Sequence, residues 1–340
     1  AINDNYHKYS PVDGYLDLKK SICKKFKRDN NLDYDVDQIV VSTGAKQSIA
    51  NVCMSLINKG DEVLIPTPYW VSYSAMVALA EGVPVFINPD EDSNYKITAQ
   101  QLESAITDKT KMLMLNSPNN PSGSVFTEQE YLEFSKVLSK YPNIIIVSDE
   151  IYEHINYGVK SVSFASLPGM YDRTVTVNGI SKAYAMTGWR IGYLGAPKVI
   201  AKACNKMQGQ ITSGANCIAQ RATIKALEES PEKIQYMVDE FKIRRDFIID
   251  LVTKINGFNI KQPPMGAFYI FPDISELFGK TFKGVTINDA NDLSMLILEK
   301  AHVATVPGDA FGYPNCIRIS YSASREQIEE AIKRIKDLLS

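Results

Sequence analysis

The sequence predicts an α/β fold: a mostly parallel central sheet sandwiched by helices, followed by a smaller α+β C-terminal domain. Three observations point there. Short β-branched runs alternate with longer helix-like stretches. The strand-like runs are continuously apolar, as strands buried on both faces must be. From about Glu232 the texture changes to a long charged helix and then to short, mixed elements.

The candidate strands are 38–41, 62–65, 84–87, 111–115, 144–147, 174–177 and 191–194. Helix-like segments lie between several of them, at 46–58, 70–80, 127–140 and 198–208. The later part holds a helix over 233–255, the segment GAFYIFPDIS, a helix near 293–301, a strand near 317–320 and a closing amphipathic helix. With 340 residues, the chain is too long for one compact core. It divides into a large domain, 1–235, and a small one, 236–340. No internal repeat or low-complexity linker interrupts it.

Hydrophobic residues make up 45% of the chain and the net charge is −2, so nothing in the balance favours a nucleic-acid or anionic-membrane partner. Five scattered cysteines with no Cys-x-x-Cys pair argue against a disulfide framework or a zinc site. The three histidines show no metal-ligand spacing. Reduced thiols in a cytoplasm are the simplest reading. No apolar run approaches the roughly 18 residues that span a bilayer, and no signal-peptide pattern is present. The chain opens on Ala1 rather than Met, which points to a processed or shortened N-terminus.

Parallel sheets bind ligands beyond the carboxyl ends of their strands, so the residues just after the strands are the informative ones. The first strand runs into Ser42-Thr43-Gly44-Ala45-Lys46-Gln47, small residues opening a helix, where free backbone N–H groups can hold a phosphate. A tight strand-to-helix turn is the plainer explanation of the glycine. The fourth ends in SPNNPSG, a turn-rich loop whose Asn120–Pro121 bond is a candidate for the cis form. The fifth ends in Ser148-Asp149-Glu150-Ile151-Tyr152. A carboxylate at a buried strand end needs a cation, or serves as a helix N-cap. The sixth ends in Asn178-Gly179-Ile180-Ser181-Lys182, with Arg190 eight residues on. A lone lysine is ordinarily a solvated charge. One in a small-residue loop at this edge, with an arginine near it, would have a lowered pKa.

The segments PYWVSY, SPNNPSG, SDEIY, NGISKAYAMTGWRIGY and IRISYSAS, in this order along essentially the whole chain, closely resemble the class I/II aminotransferases, and within them the bacterial aspartate aminotransferase branch. The resemblance implies the fold-type I architecture of pyridoxal 5′-phosphate enzymes. It implies that Lys182 is the Schiff-base lysine, that Asp149 pairs with the pyridine nitrogen, and that Tyr152 and Asn120 bond the ring's phenolic oxygen. Trp70 matches the aromatic that stacks on the ring. Gly44, Ala45, Lys46 and Arg190, with Ser181, match the phosphate cradle. Many relatives carry a serine three residues before the lysine; Gly179 stands there in this chain, which leaves that hydroxyl contact open. Arg318 matches the fork that grips the substrate α-carboxylate, with Trp70 and Asn120 beside it. Lys46 matches a lysine that meets the distal carboxylate of aspartate or glutamate, although a phosphate-loop or surface role suits it equally. Tyr9 matches a tyrosine that reaches the phosphate of a neighbouring subunit, which implies a homodimer with shared active sites. Relatives carry an arm, a substrate-contacting loop and the first part of the small domain upstream of the residue corresponding to Ala1. The implied activity is ping-pong transfer of an amino group between an L-amino acid, aspartate or glutamate, and a 2-oxo acid. The same core also serves aromatic, kynurenine and prephenate transamination. Two non-catalytic readings remain: a pyridoxal-phosphate-binding regulator, for which no basic recognition helix is visible, and an inactive structural homologue, against which the intact set Lys182, Asp149, Tyr152, Arg190 and Arg318 argues.

Overall fold

The seven apolar runs form seven strands of one sheet. The computed structural model describes residues 1–90 and 93–340. In chain order the first part contains α1 (Leu16–Asn30), β1 (Ile39–Ser42), α2 (Ala45–Leu56), β2 (Glu62–Pro66), α3 (Ser72–Leu79), β3 (Val83–Ile87), α4 (Ala99–Ala105), β4 (Thr110–Asn116), α5 (Glu128–Leu138), β5 (Ile145–Asp149), β6 (Thr174–Gly179), β7 (Gly192–Gly195), α6 (Lys198–Ile211) and α7 (Cys217–Glu228). The strand order is β1-β7-β6-β5-β4-β2-β3. Neighbours from β3 through β6 pair in parallel, whereas β7 runs antiparallel to both β6 and β1.

Both faces of the sheet are covered, and the alternation along each strand shows it. Val63, Ile65, Met112, Met114, Val147 and Val177 face a core shared with α2, α3 and α6. Leu64, Leu113, Leu115 and Ile146 face the opposite core under α4 and α5. At the β1 edge, Ile39, Val41 and Tyr193 pack with Leu18, Ile22 and Phe26 of α1. Continuous apolar runs follow from this arrangement, because each residue of such a strand must be apolar whichever way it points.

The later part contains α8 (Gln235–Val252), β8 (Tyr269–Ile270), β9 (Thr281–Phe282), β10 (Val285–Thr286), α9 (Ala290–Leu296), β11 (Val306–Pro307), β12 (Ile317–Ser320) and α10 (Arg325–Leu338). Strands β11-β12-β8 form a small antiparallel sheet. It has its own core, from Ile248 to Leu338, which includes Ile270, Leu293, Ile317, Ile332 and Ile335. Helix α10 starts at a capping box, in which Ser324 and Gln327 satisfy each other's backbone N–H groups. Among the described residues, no helix is long and apolar enough to cross a membrane. All five cysteines are free.

Candidate active site

Register brings the site together. Asn116 at the end of β4 pairs with Asp149 at the end of β5, and Asp149 pairs with Val177 of β6. Lys182, five residues past Val177, therefore arrives at the same edge. The reversed strand β7 delivers Arg190 there too, since its first residue, Gly192, pairs with both Gly179 and Ser42. A forward strand would have put Arg190 at the far end of the sheet.

Ala45, Lys46, Trp70, Asn120, Asp149, Tyr152, Ser181, Lys182, Arg190 and Arg318 line one cavity of about 350 Å³. Gly44 does not itself line the cavity but lies directly against Arg190, which does. The φ of Gly44 is +82°, and a Cβ there would lie 2.3 Å from Nη2 of Arg190. A side chain at this position is thus both strained and excluded, and the guanidinium rests directly on the peptide. Gly44 is the N-cap of α2, so Arg190 lies beside the first amides of that helix, an arrangement that suits an anion. Arg190 Nη1 also donates to the Thr187 carbonyl at 2.9 Å. The glycine found in place of a serine, Gly179, has a packing reason: a Cβ there would lie 2.9 Å from the Ile191 carbonyl. Tyr9 lies elsewhere, 98% exposed, and does not line the cavity of its own chain.

The cavity's polar groups are held by one another. Arg318 Nη1 donates to Asn120 Oδ1 at 2.8 Å, and its guanidinium stacks on Tyr269 at 4.5 Å and Phe311 at 4.9 Å from the ring centroids. Asn116 accepts from the Asn120 backbone at 2.9 Å and donates to the Asp149 carbonyl at 3.0 Å. The Asn120–Pro121 bond is cis. Tyr152 and Tyr269 share a hydrogen bond of 2.9 Å between their hydroxyls. Lys46 Nζ lies 5.0 Å from the Trp70 ring centroid.

Burial raises the hydroxyls of Tyr73, Tyr152 and Tyr269, and it shifts the two groups that bear most on the chemistry, Asp149 and Lys182. Burial pushes the Asp149 carboxyl up to about 6, although the Tyr73 hydroxyl, the Ile151 amide and the Lys182 charge pull it down. Tyr73 donates to Asp149 Oδ2 at 2.7 Å, and Ile151 N donates to Oδ1 at 3.2 Å. No helix follows Asp149, so it is not an N-cap. Among the described residues no Lys or Arg approaches it within ion-pair distance, and the carboxylate waits for a cation. Burial also lowers the Lys182 ammonium, helped by Arg318 and Arg190 and opposed by Asp149. Its Nζ lies 5.5 Å from the Tyr152 ring and 5.4 Å from the Phe268 ring. It forms no hydrogen bond among the described residues. A lysine that gives up its proton easily is a nucleophile toward carbonyl carbon and a base.

Asn116, Ile151, Thr187 and Tyr269 also line the cavity, and Tyr73 stands behind it; the sequence reading did not single these out. Tyr73 carried a usable signal, because it lies one helical turn after Trp70 and their rings meet edge to face at 5.4 Å. Tyr269 carried none, since it sits in a run of apolar and aromatic residues whose facing depends on the fold.

Taken together, the cavity can bind an anion at the helix end, stack an aromatic ring on Trp70, meet a cation at Asp149, condense a carbonyl at Lys182 and hold a carboxylate at Arg318. Residues 1–335 match the family model for aminotransferases of class I and II. The chain is 45% identical over 344 residues to a Petunia hybrida bifunctional aspartate aminotransferase and glutamate/aspartate-prephenate aminotransferase, covering all of this chain and 72% of that protein. It is 46% identical over 339 residues to a probable aspartate/prephenate aminotransferase of Rickettsia prowazekii, covering 99% and 85%. The crystal structure of the Rhizobium meliloti aspartate aminotransferase superposes with a TM-score of 0.95 at 44% identity, covering all of this chain and 86% of that one. The fold, the convergence on Lys182 and these likenesses agree, and the chain belongs to the class I and II aminotransferases.

Proposed function

We propose that this aminotransferase moves the amino group of L-aspartate or L-glutamate to a 2-oxo acid, using pyridoxal 5′-phosphate in a ping-pong reaction. The observation that carries the reading is the convergence of Lys182, Asp149, Arg190, Arg318 and Lys46 on one cavity. The residues fit the cofactor. Gly44, where a Cβ is excluded, with Arg190 and the α2 N-terminus, suits its phosphate. The buried, cation-less Asp149 suits a protonated pyridine nitrogen. Trp70 offers a face for the ring, Ser181 and Ala45 border the phosphate end, and Tyr152 and the Asn120 amide suit the phenolic oxygen.

Bound pyridoxal phosphate supplies an electron sink for the charge that develops at the substrate Cα. Arg318 holds the substrate α-carboxylate as a two-pronged donor, pre-aimed by Asn120, Tyr269 and Phe311. Lys46 meets the distal carboxylate. Lys182 Nζ takes the proton from Cα, for which its lowered pKa prepares it. Asp149 holds a proton on the ring nitrogen. Tyr9 serves the phosphate of a second copy, so the working unit is a homodimer, in the cytoplasm. The division into domains falls at the start of α8, near residue 235.

Relatives named for prephenate favour a second acceptor. Prephenate carries a carboxylate besides that of its oxo-acid group, which Lys46 could also meet. Substrate panels test both readings. The parental enzyme should prefer aspartate and glutamate to phenylalanine and kynurenine as donors. Lys46→Met should lower kcat/KM for aspartate by roughly 10–100-fold, the worth of one charged hydrogen bond, and leave phenylalanine turnover nearly unchanged. A parental preference for phenylalanine or kynurenine would overturn the acidic substrate. Equal losses for both donors would place Lys46 on the phosphate instead.

A further inference from the structure

Beyond the cavity, a buried cluster of charged groups lies between α1 and the loop after β5. Lys25 of α1 is 1% exposed and pairs with Glu153, with Asp29 Oδ2 3.9 Å from its ammonium and His154 Nε2 3.3 Å from Glu153 Oε1. Lys25 also donates to Asn30 Oδ1 at 2.6 Å. Glu153 is the hub of the cluster. Its Oε2 accepts from Asn30 Nδ2 at 2.6 Å, and its Oε1 accepts from Asn178 Nδ2 at 2.7 Å as well as from Lys25. The same Asn30 amide reaches Glu150 Oε2 at 3.0 Å. Glu150 Oε1 in turn accepts from the Ser148 and Ser163 hydroxyls, each at 2.8 Å.

These bonds join elements far apart in sequence. Glu153 directly follows Tyr152 and stands four residues after Asp149. Asn178 lies on β6, four residues before Lys182. One buried carboxylate therefore ties the end of β5, with Asp149 and Tyr152, to β6, which leads into Lys182, and anchors both to α1. None of Lys25, Asn30, Glu153 or Asn178 lines the cavity.

Stability alone does not call for such a cluster. A buried ion pair can often be exchanged for apolar side chains of similar volume at no loss, or at a gain. The surroundings are already hydrocarbon, with Ile22, Phe26, Ile180 and Tyr193 in the adjoining core. Convergent hydrogen bonds add direction, since they fix distance and angle where apolar contacts tolerate sliding. Asp29, Glu153 and His154 bring ligand atoms within 4.8 Å of one another, but the Lys25 ammonium already supplies the positive charge that a metal would bring.

We propose that Glu153 is a positioning residue for the cofactor site, with Lys25 as its counter-charge: it sets Asp149 and Tyr152 relative to Lys182. The proposal rests on the reading that those residues hold pyridoxal phosphate. The test uses the full chain and the paired replacement Lys25→Met with Glu153→Leu, which removes both charges of that pair together and leaves Asp29 its partner Arg28. Two quantities are measured: the melting temperature of the cofactor-free protein, and the dissociation constant for pyridoxal phosphate from an absorbance titration. The double variant should melt within a few degrees of the parent and bind the cofactor about tenfold more weakly, the low end of what outer hydrogen-bond partners contribute at bound ions. Asn178→Ser, which cuts the link from β6 to Glu153, together with the bond that Asn178 Oδ1 accepts from the Gly179 amide at 2.8 Å, and leaves the ion pair intact, should weaken binding several-fold with little change in melting. It decides the matter if the double variant does not fold. Lys25→Arg, which keeps the charge, should bind as the parent does. A folded double variant, or Asn178→Ser, with the parental dissociation constant would overturn the proposal and leave the cluster a purely structural one. Failure of the parent itself to bind would remove the cofactor reading, and this proposal with it.

Discussion

Asp149 ends β5 and Glu153 stands four residues on in the loop that follows, both carboxylates buried almost completely. Their acidities move in opposite directions. Burial raises Asp149 to about 6, with only a hydroxyl, an amide and the Lys182 charge to oppose it. Burial acts on Glu153 too, but the charge of Lys25, then His154, and the bonds from Lys25 and Asn30 outweigh it and hold the carboxyl below its ordinary value. The second carboxylate is complete within the chain. The first lacks its cation and opens on the cavity. A buried charge with its partner inside the fold holds structure, and one whose partner is missing marks where a ligand belongs.

The sharpest way to break this contrast is to remove the internal partner. Lys25→Met leaves Glu153 buried without its ammonium and should cost about 3–5 kcal/mol of stability, read from a denaturant midpoint. Little or no loss would mean that Lys25 does not neutralise Glu153.

The next effect concerns pH. In the cofactor-free protein the folded Asp149 keeps its proton up to about pH 6, whereas the unfolded chain releases it near pH 4. Between those values the folded state binds more protons, so stability falls as pH rises. The share lost above pH 6 is about 3 kcal/mol. Glu150, pushed up to about 7 by burial and by Glu153, contributes in the same direction. Asp149→Asn should match the parent near pH 4 and exceed it near pH 7.5, keeping only the Glu150 part of the slope. Parallel curves for the two proteins would show that Asp149 is not shifted. The smallest change is Tyr73→Phe. Removing the donor at Asp149 Oδ2 should cost about 1 kcal/mol near pH 7.5, and almost nothing near pH 4.

Much of this was legible in the sequence. The seven β-branched runs became the seven sheet strands, each within one or two residues of its expected limits, because continuous apolar strands have few alternatives. Asp149, Lys182 and Arg190 stood out because charged residues directly beyond such strands need a reason. The direction of β7 was not legible, since an apolar run reads the same in either sense. Helix α4 was passed over although Thr98 and Gln101 form a capping box at its start. Helix α1 was missed because its six basic residues read as solvated surface. Its apolar spacing was present all the same: Leu18, Ile22 and Phe26 lie at helical intervals, and Lys25 falls on their stripe. A lysine in an apolar slot was the available sign of the buried ion pair.

The most direct test of the central claim is an absorption spectrum of the full chain and of Lys182→Ala with pyridoxal phosphate, followed by titration with L-aspartate. The parental protein should show a visible band that aspartate converts to the spectrum of pyridoxamine phosphate, and Lys182→Ala should not carry out that conversion. A variant that converts aspartate as fast as the parent, or a parental chain that forms no band, would contradict the assignment of Lys182 as the centre of the site.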